Sequence, residues 1–246
     1  MTGKYRYDTR VRFSETDEDG FMTPFALLNN LQDCATFHGE DSGIGVERNR
    51  KAGHAWMIAD MQLVIPSFPR FNMHISTATW SPSFRGPVGR RFFEVTDADG
   101  RMLAAARSNW VFMDLKTGMP VNVTEEQLAY GVHPELDIPF ETGKRKILVD
   151  GDWEKHRRIR IREEYLDANG HMNNAQYVRL ARVYLPDDAV IGSLRVMWKR
   201  QAMLHDILIP EVIEKESTTY VRFMSEHADT DPDPYFICEL SWHHRA

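Results

Sequence analysis

The feature that most constrains this chain is an internal repeat, displaced by 150 residues from Arg10 to Arg160. Arg10-Val-Arg12 matches Arg160-Ile-Arg162, Asp17 matches Asp167, Gly20 matches Gly170, Met22 matches Met172, and Asp19 stands where Asn169 stands. Each copy reads as strand, acidic loop, helix. A repeat of that order bears on the whole architecture, because one supersecondary unit must then be built twice. The copies differ at one telling place. Phe21 occupies the position of His171, so the first copy lacks the imidazole and the second is expected to hold the chemistry.

The patterning fills in each half. From Lys4 to Ser14, Tyr5, Tyr7, Thr9, Val11 and Phe13 alternate with charged residues, as in a half-exposed strand. Pro24 leads into an apolar helical run to Phe37, with Gly39, Gly43 and Gly45 marking its end. Strand-like runs follow at Trp56–Ile65, Phe71–Ser81, Arg90–Val95 and Met102–Leu115, with a turn at Asp97–Gly100. The second half repeats the order at Ile191–Arg200, Ile207–Glu216, Ser217–Met224 and Tyr235–His243. The fold class is therefore α+β, each half an antiparallel sheet wrapped around a long helix. We divide the chain into residues 1–115, a surface-strapped linker over 116–150 rich in Gly and Pro, and residues 151–246 carrying the site.

The site reading rests on Tyr165-Leu-Asp-Ala-Asn-Gly-His-Met-Asn-Asn-Ala-Gln-Tyr177. Asp167, Asn169 and His171 lie two residues apart on a strand-to-helix loop, where a rigid scaffold can present side chains. Asn173 or Asn174 is a candidate N-cap, and Ala175, Tyr177, Val178, Leu180 and Ala181 form one helical face. A lone histidine on a capped turn would be read as a surface residue; the Asp-Asn-His set before a helix start reads as a site. Backbone N–H groups around Gly170 to Asn173 are candidate oxyanion donors.

Composition excludes several classes. The net charge of -6 argues against general nucleic-acid binding. No apolar run is long enough to span a bilayer, and the start of the chain has no apolar signal region, so a cytoplasmic protein is expected. Cys34 and Cys238 have neither metal nor disulfide spacing and read as buried thiols. The histidines are scattered, so no metal site is expected.

The loop from Tyr165 to Tyr177 resembles the active-site loop of hotdog-fold thioesterases. Phe13-Ser-Glu-Thr-Asp17 with Gly20, Thr23-Pro24, Phe68-Pro-Arg70 and Ser108–Gly118 extend the resemblance to the acyl-acyl carrier protein thioesterase family over nearly the full length. The resemblance implies a double hotdog that hydrolyses fatty acyl-acyl carrier protein to free fatty acid, without a cofactor. It carries Asp167, Asn169 and His171 over as catalytic positions. It also places Gln201 and Ala202, on the strand that follows, where the family has a Glu and plant members then a Cys. With Ala202 in place of that Cys and no Ser-centred nucleophile elbow in the chain, water attack without a covalent intermediate is the expected route; Gln201 could bind water or the carbonyl but cannot serve as a base. Leu27, Leu28, Leu31, Phe37 and Met57–Ile65 are candidates for an acyl slot. Lys144–Lys146, Lys155, Arg157, Arg158, Arg160, Arg162, Arg195, Lys199 and Arg200 are candidates for a face that docks the acidic carrier protein. An acyl-CoA thioesterase and a non-catalytic acyl-binding protein are the alternatives. Monomer and homodimer are both open.

Overall fold

The computed structural model describes residues 4–130, 146–227 and 232–245. It divides into two compact units, Met1–Glu141 and Thr142–Ala246. The division falls inside the stretch read as a linker, of which residues 131–145 lie outside the described residues.

In the first unit, β1 (Tyr5–Arg10), β2 (His54–Val64), β3 (His74–Arg85), β4 (Val88–Asp97) and β5 (Met102–Asp114) are antiparallel in the order β1-β3-β4-β5-β2. Helix α1 runs from Pro24 to Asp41. Thr23 caps it by accepting the Ala26 N–H, and Pro24 fills a first-turn position that has no N–H to satisfy. Gly39 was expected to help end the helix, but α1 continues through it. A side chain there would meet the Tyr130 hydroxyl, with a Cβ only 2.9 Å away, so Gly39 serves packing. The stop comes at Ser42 and Gly43, whose φ of 74° reverses the chain into a short second helix, α2 (Val46–Lys51).

The first strand is also shorter than its alternation suggests. It ends at Arg10, and Phe13–Glu15 close a 3-10 turn in which the Arg12 N–H donates to Glu15 Oε2 at 2.7 Å. Under α1 the sheet is unexpectedly polar. Thr77 Oγ1 donates to Asn30 Oδ1 at 2.6 Å. The buried Arg91 guanidinium lies 3.1 Å from His38 Nδ1, donates to Thr79 Oγ1 at 3.2 Å, and sits 4.8 Å above the Tyr130 ring. Desolvation lowers the Arg91 pKa. Of the acyl-slot candidates, Leu27, Leu28 and Leu31 are buried, whereas Phe37 turns outward against Tyr7.

In the second unit, β8 (Ala189–Trp198), β9 (Ile207–Lys215), β10 (Thr218–Ser225) and β11 (Phe236–His244) run in the order β8-β11-β10-β9. Two short strands, β6 (Glu154–Lys155) and β7 (Ile159–Arg160), both pair with β9. Helix α3 (Asn174–Arg182) has 9 residues against 18 in α1. It ends because Pro186 follows closely and Arg182 turns its guanidinium onto the Pro186, Asp187 and Ala189 carbonyls. Tyr177 on α3 stacks on Phe236 at 5.2 Å, and Phe236 on Phe223 at 5.7 Å, forming the centre of this core. A sheet with a helix on one face, present twice, is the double hotdog of an α+β chain.

Candidate functional site

The two loops repeat bond for bond, so comparing them separates scaffold from chemistry. In the second unit the Asp167 N–H donates to the His171 carbonyl at 2.8 Å and the Gly170 N–H to the Asp167 carbonyl at 3.0 Å. In the first unit the Asp17 N–H donates to the Phe21 carbonyl at 2.8 Å and the Gly20 N–H to the Asp17 carbonyl at 3.0 Å. Gly170 and Gly20 have φ of 76° and 78°, a left-handed turn that a side chain would strain. The Met172 N–H donates to the Ala202 carbonyl and the Met22 N–H to the Pro69 carbonyl, both at 2.8 Å. The Asn173 N–H reaches the Tyr165 carbonyl as the Thr23 N–H reaches the Glu15 carbonyl. Even the strained residue in the turn before β3 and before β9 recurs: Asn72 has φ of 69° and His205 has 75°.

Asp167 belongs to this shared scaffold. Its Oδ1 accepts the Asn169 N–H at 2.8 Å and the His171 N–H at 3.3 Å, as Asp17 Oδ1 accepts the N–H groups of Asp19 and Phe21. The same arrangement exists where no imidazole is present. Asp167 therefore closes the loop and fixes where His171 leaves the backbone.

This bonding also corrects the oxyanion expectation. The N–H groups of Gly170, His171, Met172 and Asn173 all have acceptors inside the fold. The side chain of Asn173 takes the next donor, Ala175 N–H, at 2.7 Å as the helix N-cap. None of these four N–H groups is left for a developing oxyanion.

Residues that differ between the copies are the ones with chemistry to offer. His171 is half-buried and Asn169 exposed, where the first copy has Phe21 and Asp19. Phe21 is covered by the Arg70 guanidinium, 4.5 Å from its ring. Gln201 does not lie on a strand as expected. It is exposed in the connection between β8 and β9, one residue before Ala202. That connection is held to the loop by the His171–Met203 bridge and the Met172–Ala202 bond. It is held to α3 by the Ala202 N–H, which donates to Tyr177 Oη at 2.9 Å. The structure thus brings Asp167, Asn169 and His171 onto one turn and Gln201 onto the segment paired with it. Sequence reasoning missed Tyr177 as the support of that segment; its place on the buried face of α3 was legible, its bond across 25 residues was not.

Cys34 lies in α1, its Sγ donating to the Thr77 carbonyl at 3.4 Å, and Cys238 lies in β11. Burial pushes the Cys34 thiol up to about 12 and raises Cys238 as well, so neither is a thiolate nucleophile. Among the described residues no group of His, Cys, Asp and Glu could hold a metal ion.

The pattern of the acyl-ACP thioesterase N-terminal domain matches residues 2–130. The chain belongs to this family. An oleoyl-acyl carrier protein thioesterase of Coriandrum sativum, chloroplastic, is 25% identical over 91% of this chain and 67% of its own length. Oleoyl-acyl carrier protein thioesterase 2 of Arabidopsis thaliana, also chloroplastic, is 27% identical over 81% of this chain and 65% of its own. A Cuphea viscosissima acyl-[acyl-carrier-protein] hydrolase is 26% identical, and this chain spans 53% of it. The chain thus covers between about half and two thirds of these relatives. An acyl-ACP thioesterase structure from Bacteroides thetaiotaomicron superposes with a TM-score of 0.86 at 20% identity, covering 97% of both chains. The 12:0-ACP thioesterase of Umbellularia californica gives 0.85 at 17% identity, covering 100% of this chain and 99% of that one. Those two likenesses establish the fold.

Proposed function

We propose that this acyl-ACP thioesterase family member hydrolyses the thioester between a fatty acyl chain and acyl carrier protein, releasing free fatty acid in fatty acid biosynthesis. The observation that carries the site assignment is the pair of loops: one scaffold, with an imidazole in one copy and a phenyl ring in the other. His171 takes the proton of the attacking water. The water oxygen bonds the acyl carbon, the C–S bond breaks, and the proton passes to the leaving thiolate. Asn169 offers an amide to the carbonyl oxygen, and Gln201 offers another without being able to act as base. Asp167 acts through the loop that it closes. No cofactor enters this scheme.

The carrier protein is acidic, and exposed Arg157, Arg158 and Arg160 precede the site loop. Other candidate docking cations are already engaged: Arg195 with Glu239 at 3.0 Å, Lys199 with Asp233 at 3.1 Å, and Arg200 over the Tyr235 ring at 4.2 Å. Docking is therefore assigned to the arginines before the loop. We read the compartment as reducing, in keeping with two buried free thiols, and as the cytoplasm. The test is thiol release from matched acyl carrier protein and acyl-CoA thioesters across a salt series. Faster turnover of the carrier-linked substrate, falling with salt, is expected. Preference for CoA would replace the carrier assignment, and acyl binding without release would replace the enzymatic one.

A further inference from the structure

Comparing the copies singles out one more residue. Gln176, in the first turn of α3, stands where the first copy has Ala26. It is a buried amide, 6% exposed. Its Nε2 donates to the Glu164 carbonyl at 3.3 Å. Its Oε1 is buried with no hydrogen-bond partner among the described residues. Glu164 belongs to the 3-10 turn Glu163–Tyr165, which forms the incoming arm of the loop, and α3 forms the outgoing arm. The amide therefore ties together the two arms of the loop that carries His171. An unmatched buried acceptor lowers stability, and the first unit forms the same loop with alanine at this position. Folding alone gives no reason to keep the glutamine.

We propose that Gln176 is a positioning residue for the reaction: it clamps the Glu163–Tyr165 turn to α3 and so holds the His171 loop in its working geometry, at a cost in stability. The proposal rests on the assignment of His171 above.

The test compares wild type with Gln176→Met, which keeps the side-chain volume and removes both polar ends, and with Gln176→Ala, the residue of the first copy. The expected result for both is a kcat reduced about tenfold or more, a KM within about twofold, and a melting temperature unchanged or higher. Amide exchange of Leu166 to His171 should speed up in both. A melting temperature that falls along with kcat would make the residue merely structural and overturn the proposal, as would turnover within twofold of wild type. Full activity in His171→Phe would instead sink the site assignment beneath it. In that case, or if the wild type releases no thiol, the exchange measurement decides: unchanged protection of Leu166 to His171 overturns the clamp itself.

Discussion

Replacing Tyr177 with Phe tests how the segment carrying Gln201 is held. Tyr177 is 1% exposed and its Oη accepts the Ala202 N–H at 2.9 Å, while Ala202 is itself fully buried. The substitution keeps the ring, and with it the 5.2 Å stack on Phe236, so it opens no large cavity. What it removes is the acceptor of a buried N–H. Leaving such a donor unmatched costs about 1–3 kcal/mol. For a chain of this size that corresponds to a drop in melting temperature of roughly 2–12 °C. The assay is urea unfolding, where the midpoint should fall at unchanged slope, since the surface exposed on unfolding does not change. The bond also anchors the β8–β9 connection that pairs with His171, so amide exchange at Ala202 and Met203 should rise and kcat should fall. A midpoint indistinguishable from wild type would refute the reasoning. So would a stability loss with unaltered protection at Ala202, because the bond would then not be what holds the segment.

Other consequences follow from the same geometry. With Cys34 pushed up to about 12 and Cys238 also raised by burial, both thiols stay protonated at pH 8. Ellman's reagent should then read no thiol in the native protein and two in denaturant; rapid native labelling would contradict their burial. Gly170→Ala forces a side chain onto a φ of 76° and should cost about 1 kcal/mol together with much of the turnover. Gly20→Ala, at φ 78°, should cost as much stability and spare kcat. Equal loss of activity in the two would mean that the copies are not functionally distinct. The buried Glu211 carboxylate accepts from Arg222 Nε at 2.7 Å, and Arg222 lies 4.1 Å over the Trp153 ring, which fastens the β6 segment to β9. Glu211→Gln should destabilise by about 2 kcal/mol, read by urea unfolding, and a neutral outcome would show the pair to be dispensable.

The repeat made the elements of each half legible along the chain, because alternation and turn residues mark strands and their ends; the order of the strands in the sheet was not read from them. The strand runs read at Met102, Ile207 and Ser217 fall within a residue or two of β5, β9 and β10. What escaped the pattern depended on contacts remote in sequence. Gly39 looks like a helix stop until Tyr130, far along the chain, packs on it. Phe37 fits an apolar helix face, yet faces out against Tyr7. At the site, the spacing of Asp167, Asn169 and His171 was readable, but not the division of labour among them. Only the hydrogen bonds show that Asp167 is committed to the turn and that the four backbone N–H groups from Gly170 to Asn173 are already taken. The resemblance puts Gln201 on a strand; the structure ends β8 at Trp198 and leaves Gln201 on the connection.

The central claim is that one scaffold occurs twice and that only the second copy carries the imidazole that works. Thiol release by His171→Phe tests it most directly, because the variant installs the first copy's own residue on the same backbone bonds. The account predicts a melting temperature within a few degrees of wild type and a kcat lower by about 10²–10⁴, the usual contribution of a proton-transferring side chain. Wild-type turnover in a folded His171→Phe protein would contradict it.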